Sequence, residues 1–287
     1  MAGKQSNLTR LLKNAAIASA AACLAVLLVG TVWTRLNTHQ HVVVFRLAPD
    51  AGQLDAAALR DAASVVRKRA AAVARKFALA DVEVETEGPD RLRMSFQTHS
   101  SPRDVEEMLA WVGMHGRADF CLLHPRDGSL GILEPGVEVR DRMTDVPEGY
   151  VLRTYREKLY RLSRPGETVT RRHLYLVRAR PVLTVNGFAR VHFATAGWQK
   201  KSLVTFEFGG GQAEEFRQAT ALNVGRQMIL LIDGYAFFPP REIQSAIGGG
   251  RVQIEGYFYN PPLRILVKML QSGAMPGRLE QLSHEVE

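Results

Sequence analysis

The sequence predicts an α+β protein carried on one apolar N-terminal helix, and three stretches lead to that class. Residues 14–34 read NAAIASAAACLAVLLVGTVWT, twenty-one positions without a charge. DVEVETE and RLRMSFQ, residues 81–97, alternate with the period of two that half-buried strands require, and segments of helical spacing lie on both sides of them. Between Tyr150 and Thr184, two extended runs flank Arg164-Pro165-Gly166-Glu167, the signature of a long hairpin.

The uncharged segment comes first in the chain. As a helix it would span roughly 31 Å, matching the apolar core of a bilayer. A cleaved leader would have a shorter apolar stretch with a small-residue site after it. Here Ala18-Ser19-Ala20 precedes the most apolar part, and Trp33 stands at the outer end where interfacial aromatics belong. Lys4, Arg10 and Lys13 precede it with no acid among them, which keeps the N-terminus cytoplasmic and sends the rest of the chain outward. The expectation is a cytoplasmic stub and transmembrane anchor over residues 1–38, single-pass, with the bulk of the chain outside the cytoplasm.

VVVFRLA, residues 42–48, is a strand rich in β-branched residues. From Gln53 to Phe77, Leu59, Ala62, Val66, Ala70, Val73 and Phe77 recur every three or four residues, and Arg75 and Lys76 suit the negative end of a helix dipole. Gly88-Pro89-Asp90 joins the two alternating strands and sets their acids opposite their arginines. Ser101-Pro102 starts a helix with a cap and a first-turn proline; Val105, Met108, Leu109 and Val112 form its apolar side. ADFCLL, residues 118–123, supplies a last strand. The order βαββαβ predicts a ferredoxin-like subdomain over residues 39–124.

Prolines and glycines crowd residues 125–149, so a second α+β subdomain is expected over 125–287. It contains the 150–184 hairpin, strands near 189–195 and 202–208, and a helix over 212–222. MILLID and YAFF follow as strands, then a strand over 252–258 and a helix from Pro261-Pro262 to just before Gly273. Asp233-Gly234 is a two-residue type I′ turn between its strands, because both positions need positive φ. No matching carboxylate or histidine stands near Asp233, so it is read as a structural turn rather than a catalytic acid, and asparagine should replace it with little effect.

The chemistry-bearing patterns are sparse. GxSxG, HExxH and CxxC are all absent. Neither glycine run, 209–211 or 248–250, has the lysine that a phosphate loop needs. His39 and His41 lack further ligands and are expected in solvent. Cys23 falls in the apolar segment, leaving Cys121 without a bonding mate. No catalytic residue, cofactor or metal is therefore expected, and the chain is not read as an enzyme. Net charge is +8, but four basic residues and no acids lie in residues 1–35, which leaves +4 for the outward part and makes nucleic acid a poor partner. Residues 153–180 hold nine basic residues against two acids. Arg156, Lys158, Arg161, Arg171 and Arg172 are the candidate contacts of this arm with anionic lipid or an acidic partner, beside the plainer role of keeping an exposed edge from aggregating.

Residues 214–280 carry a denser pattern. Phe216 and Thr220 on a helix lead to Asn223-Val224-Gly225 and Gln227. Asp233-Gly234, Pro239, Gly249, Ile254, Gly256 and Phe258 follow, and Leu270, Gly273, Ala274 and Pro276 close the run. This order resembles the close of the first periplasmic domain of SecD, the protein-export subunit. The VVRKRAAAVA helix and the Gly-Pro-Asp-Arg turn agree more loosely, so the resemblance covers about residues 42–280. It implies a head-and-base domain, periplasmic or extracytoplasmic on a bacterial inner membrane, that holds exported polypeptide and works with Sec translocase components on the outer face. An envelope scaffold or peptide-binding module on the same fold is the alternative. Two departures stand out. Where the family carries Gly-Leu-Asp-Leu-Arg-Gly-Gly this chain reads HVVVFRLAPDAG, and where full-length members continue into a membrane bundle bearing acids for proton coupling this sequence closes on QLSHEVE. The expectation is a chain lacking that bundle.

Overall fold

The computed structural model describes residues 38–49, 54–126, 128–133, 146–160, 168–196, 201–256 and 260–287. The expected anchor at 14–34 lies outside the described residues, and among those described no helix is long and apolar enough to cross a membrane.

The first layer is a four-stranded antiparallel sheet, ordered β15-β1-β3-β2, with two helices on one face. Strand β1 is His39–Pro49, β2 Ala80–Glu87 and β3 Arg91–Thr98. The β2–β3 register sets Glu85 opposite Arg93 and Glu87 opposite Arg91, as expected. Helix α1, Ala56–Val73, is capped by the Asp55 carboxylate, which accepts from the Ala58 N–H at 2.6 Å. It ends four residues short of the expected Phe77, because the chain turns through Ala78 at φ 48° and tucks the Phe77 ring into the core. Helix α2, Pro102–Val112, starts at a Ser101 cap and buries Val105, Met108, Leu109 and Val112.

The fourth strand of this sheet differs from expectation. Ala118–Leu122, here β4, does not join it. Its near-continuous apolar character suits a strand covered on both sides, and it pairs with β11 and β8 in another sheet. Strand β15, Gly277–Val286, takes the place beside β1. Its apolar residues Leu279, Leu282 and Val286 break the period of two because a bulge opposite Val44 and Phe45 leaves Leu282 out of register.

The larger sheet runs β5-β7-β6-β12-β11-β4-β8, with β13 on β11. These strands are β5 Ser129–Leu133, β6 Tyr150–Tyr160, β7 Thr168–Arg178, β8 Leu183–Val185, β11 Gln227–Ile232, β12 Tyr235–Ala236 and β13 Arg241–Glu242. Strands β6 and β7 form the expected long hairpin, paired from Tyr150↔Arg178 to Tyr160↔Thr168. A bridge between Leu123 and Val177 ties β4 to β7, closing a ring of strands around Cys121, Leu123, Tyr155, Tyr175, Ile229 and Leu231. Burial pushes the Cys121 thiol up to about 12, so it is inert at neutral pH.

A third sheet, β14-β10-β9, comprises β9 Arg190–Ala196, β10 Lys201–Glu207 and β14 Arg251–Gly256. Together with helix α3, Gln212–Ala221, it encloses an aromatic core in which Phe216 lies 4.7 Å from Phe208 and 4.9 Å from Phe120. Helix α4, Asn260–Gln271, belongs to both cores: Ile265 and Met269 pack under the first sheet, while Leu263, Leu266, Val267 and Leu270 pack into the second core.

Candidate functional site

The Asp233-Gly234 step joins β11 to β12, with Ile232 opposite Tyr235. Its φ values are 50° and 81°, positive at both positions as a type I′ turn requires. A Cβ at Gly234 would touch nothing within 4 Å, so the cost of valine there is backbone strain alone. Gly234→Val is expected to lower stability by about 1–2 kcal/mol in a urea titration, and an unchanged midpoint would show that the turn relaxes freely.

The turn also acts at a distance in sequence. The Asp233 carboxylate accepts from the backbone N–H of Gly116 at 3.0 and 3.1 Å and of Arg117 at 2.9 Å, while its own N–H donates to the Arg117 carbonyl at 2.8 Å. These bonds fix the connection between α2 and β4. Arg69 of α1 holds the same connection from the other side. Its side chain is 0% exposed and donates to the carbonyls of Val112 (3.1 Å), Met114 and Gly273 (2.9 Å). Burial pulls the Arg69 guanidinium down to about 10, and the Asp233 charge acts against that shift. Gly116, at φ 85°, lets the guanidinium approach, since a Cβ there would lie 3.3 Å from it. One arginine and one aspartate thus tie together α1, the end of α2, the β11–β12 turn and the end of α4.

Beside this hub runs a groove of about 780 Å³. Trp111 and Met114 at the end of α2 and Tyr235 and Phe237 after the turn supply its apolar surface, with Arg117 and Arg278 among its polar residues. The Trp111 and Phe237 rings lie 6.2 Å apart, and Tyr235 is 72% exposed. The acids along it are engaged within the fold. Glu107 accepts from Lys76 at 2.5 Å and from the Trp111 indole at 3.3 Å, and its bond to Lys76 draws its carboxyl below the ordinary range. Asp119 accepts from Arg117 and Thr184 at 3.0 and 2.7 Å. What the groove offers a visitor is aromatic surface with a polar edge, suited to an extended chain bearing apolar side chains. Among the described residues no group of three or more His, Cys, Asp or Glu is placed to hold a metal ion.

The basic arm is split by its own pleat. Exposed Arg156 pairs directly opposite half-buried Arg172, whereas exposed Arg171 is opposite Glu157 and, as the strand neighbour of Arg172, points to the other face. Lys158 is opposite Thr170, and Arg161 lies outside the described residues. His41, expected in solvent, is only 6% exposed.

Neither Arg69 nor the groove was read from the sequence. A signal for Arg69 existed: it continues the apolar stripe Ala62, Val66, Val73 at a spacing of three or four, a position where a charge must find partners inside. No local signal marks the second role of Asp233, because its partners lie 116 and 117 residues earlier.

Comparison with known proteins agrees with this architecture. The family model of the SecDF P1 head subdomain matches residues 157–277. The protein translocase subunit SecD of Syntrophobacter fumaroxidans is 23% identical over 264 residues, covering 88% of this chain and 42% of that protein. The SecD subunit of Acidaminococcus fermentans is 37% identical over 87 residues, covering 30% of this chain and 21% of its own. The chain spans less than half the length of these relatives. Two solved structures share the fold at 18% identity. SecDF in its super-membrane-facing form gives a TM-score of 0.56 over 86% of this chain and 30% of that one. A structure described as a membrane component SecDF that enhances protein export gives 0.53 over 84% of this chain and 98% of that one. The resemblance read from residues 214–280 is thus borne out: residues 157–277 match the SecDF P1 head subdomain, and the chain is similar to the SecD subunit over most of its length.

Proposed function

We propose that this protein is a membrane-anchored, SecD-like accessory of protein export that binds translocating polypeptide on the outer face of the membrane. The uncharged segment at 14–34 supports the anchor, and the basic residues before it support an outward-facing bulk. The division into two subdomains near residue 125 is kept as a working boundary, with β15 returning to the first of them. The observation that carries the binding role is the groove: its aromatic residues face an opening while its acids are held by the fold, so it offers adhesive surface without selecting one sequence. That suits a client that is any unfolded chain. No catalytic step and no bound cofactor enters this reading.

Fluorescence anisotropy of a labelled, reduced and unfolded polypeptide with the purified full chain in detergent tests it. Trp111→Ala combined with Phe237→Ala is expected to weaken binding at least about tenfold, equivalent to ~1.4 kcal/mol, with the circular dichroism spectrum unchanged. Equal affinity for parent and double variant would place the binding surface elsewhere and leave the scaffold alternative in its place.

A further inference from the structure

We propose that His41 and His284 form a pH-sensitive latch that holds the last residues of β15 on β1 near neutral pH and releases them on acidification. The proposal is independent of the groove. Three features of the structure meet at this point. The Nδ1 of His41 lies 2.8 Å from the Nε2 of His284, so one imidazole donates to the other. The His41 ring is buried and stacks on Phe96 with centroids 5.0 Å apart and planes 2° from parallel. The two histidines come from strands that pair antiparallel, with His284 opposite Val43 and His41 opposite Val286.

A hydrogen bond between two imidazoles needs at least one lone pair. The neutral pair has one to offer, and so does a pair that holds one added proton. Two imidazolium rings at this separation have no acceptor between them and repel. The groups facing His41 give no relief. Phe96 and Thr98 lie on the same face of β3, Val286 on that of β15, and His39 two residues earlier on its own strand. Burial, then His284, then His39 hold the His41 imidazole below its ordinary value, and none of these favours the proton. The sign follows. A histidine whose folded value is depressed binds its proton more readily once released, so the closed arrangement is fully favoured above about pH 6.5 and loses ground as pH falls below it.

The extent of release is also set by the strand pairing. Beyond the latch the ladder ends in two backbone bonds between Gln40 and Glu287, at 3.1 and 2.8 Å. Toward the other end, the bulge at Leu282 interrupts the ladder, and past it Arg46 and Glu280 form an ion pair at 2.5 Å. Opening therefore runs from Glu287 back to Ser283 and stops, leaving Gly277–Gln281 in place.

Amide hydrogen exchange on the full chain in detergent, at pH 7.5 and 5.0 and corrected for intrinsic rates, tests the latch. The expected result is a severalfold fall in the protection of residues 283–287 relative to Leu279 and Val43. His41→Phe, which retains a ring on Phe96, should abolish this pH dependence, and His284→Gln, which leaves His41 buried, should reduce it. Equal protection at the two pH values, an equal loss across the whole of β15, or persistence of the effect in both variants would overturn the proposal.

Discussion

Arg69→Met is expected to destabilise the protein by about 3–5 kcal/mol, the loss that follows when one member of a buried charged network is removed. Methionine nearly matches the length of the aliphatic stem but has no donor. The carbonyls of Val112, Met114 and Gly273 would lose the guanidinium that now binds them. They sit against the fully buried Arg69 side chain, where water cannot simply take its place. Replacing a buried charge by an apolar residue can be neutral when its partners are replaced too, but these partners are backbone and cannot be. Arg69→Lys separates charge from geometry. An ammonium can reach part of this set but cannot span it as a planar fork does, so lysine should recover only part of the loss. Urea denaturation followed by far-ultraviolet circular dichroism measures all three proteins. A methionine variant within about 1 kcal/mol of the parent would mean that the connection between α2 and β4 finds other donors, and the hub would lose its meaning.

How far the sequence exposed this molecule depends on the range of the forces involved. The Ser101 cap, the four apolar positions of α2 and the pairing of Glu85 and Glu87 with Arg93 and Arg91 were all legible, because each is decided within a few residues by capping, helical period or cross-strand charge. The Asp233-Gly234 turn was legible for the same reason. The residues from Phe216 to Pro276 carried the resemblance to SecD because glycines, prolines and turn residues in fixed order are specific in a way that apolar residues are not. What failed was partner choice. Ala118–Leu122 and Gly277–Val286 compete for the edge of β1, and the deciding terms are the burial of Ala118 and Phe120 in a distant core and a bulge that scrambles the pattern of β15. His41 was misplaced in the same way: its neighbour on β15 is 243 residues away. The groove has no local signature, since Trp111 and Phe237 meet across a long stretch of intervening sequence.

Asp233→Ala is expected to cost about 2–4 kcal/mol, more than the loss of a turn residue would explain. Alanine loses the charged acceptor of the Gly116 and Arg117 N–H groups, bonds worth roughly 1.5–3 kcal/mol each where water cannot take over as acceptor, and it must also adopt φ 50°. It further removes the negative charge that offsets the burial of Arg69. Asp233→Asn gives a more discriminating result. The sequence alone predicts a silent change, because asparagine tolerates positive φ. The structure predicts an intermediate one: an amide oxygen in the place of Oδ1 keeps the bonds at 3.0 and 2.9 Å, but the NH₂ would then face the Gly116 N–H, 3.1 Å away, and the charge facing Arg69 would be gone. A loss of about 1–2 kcal/mol is expected, between the values for parent and alanine. The double variant Arg69→Met with Asp233→Asn should then be less damaged than the sum of its parts, since the arginine whose charge Asp233 offsets is no longer there. Strict additivity in urea denaturation would show that Arg69 and Asp233 act separately, and that Asp233 serves the turn and the 116–117 amides alone.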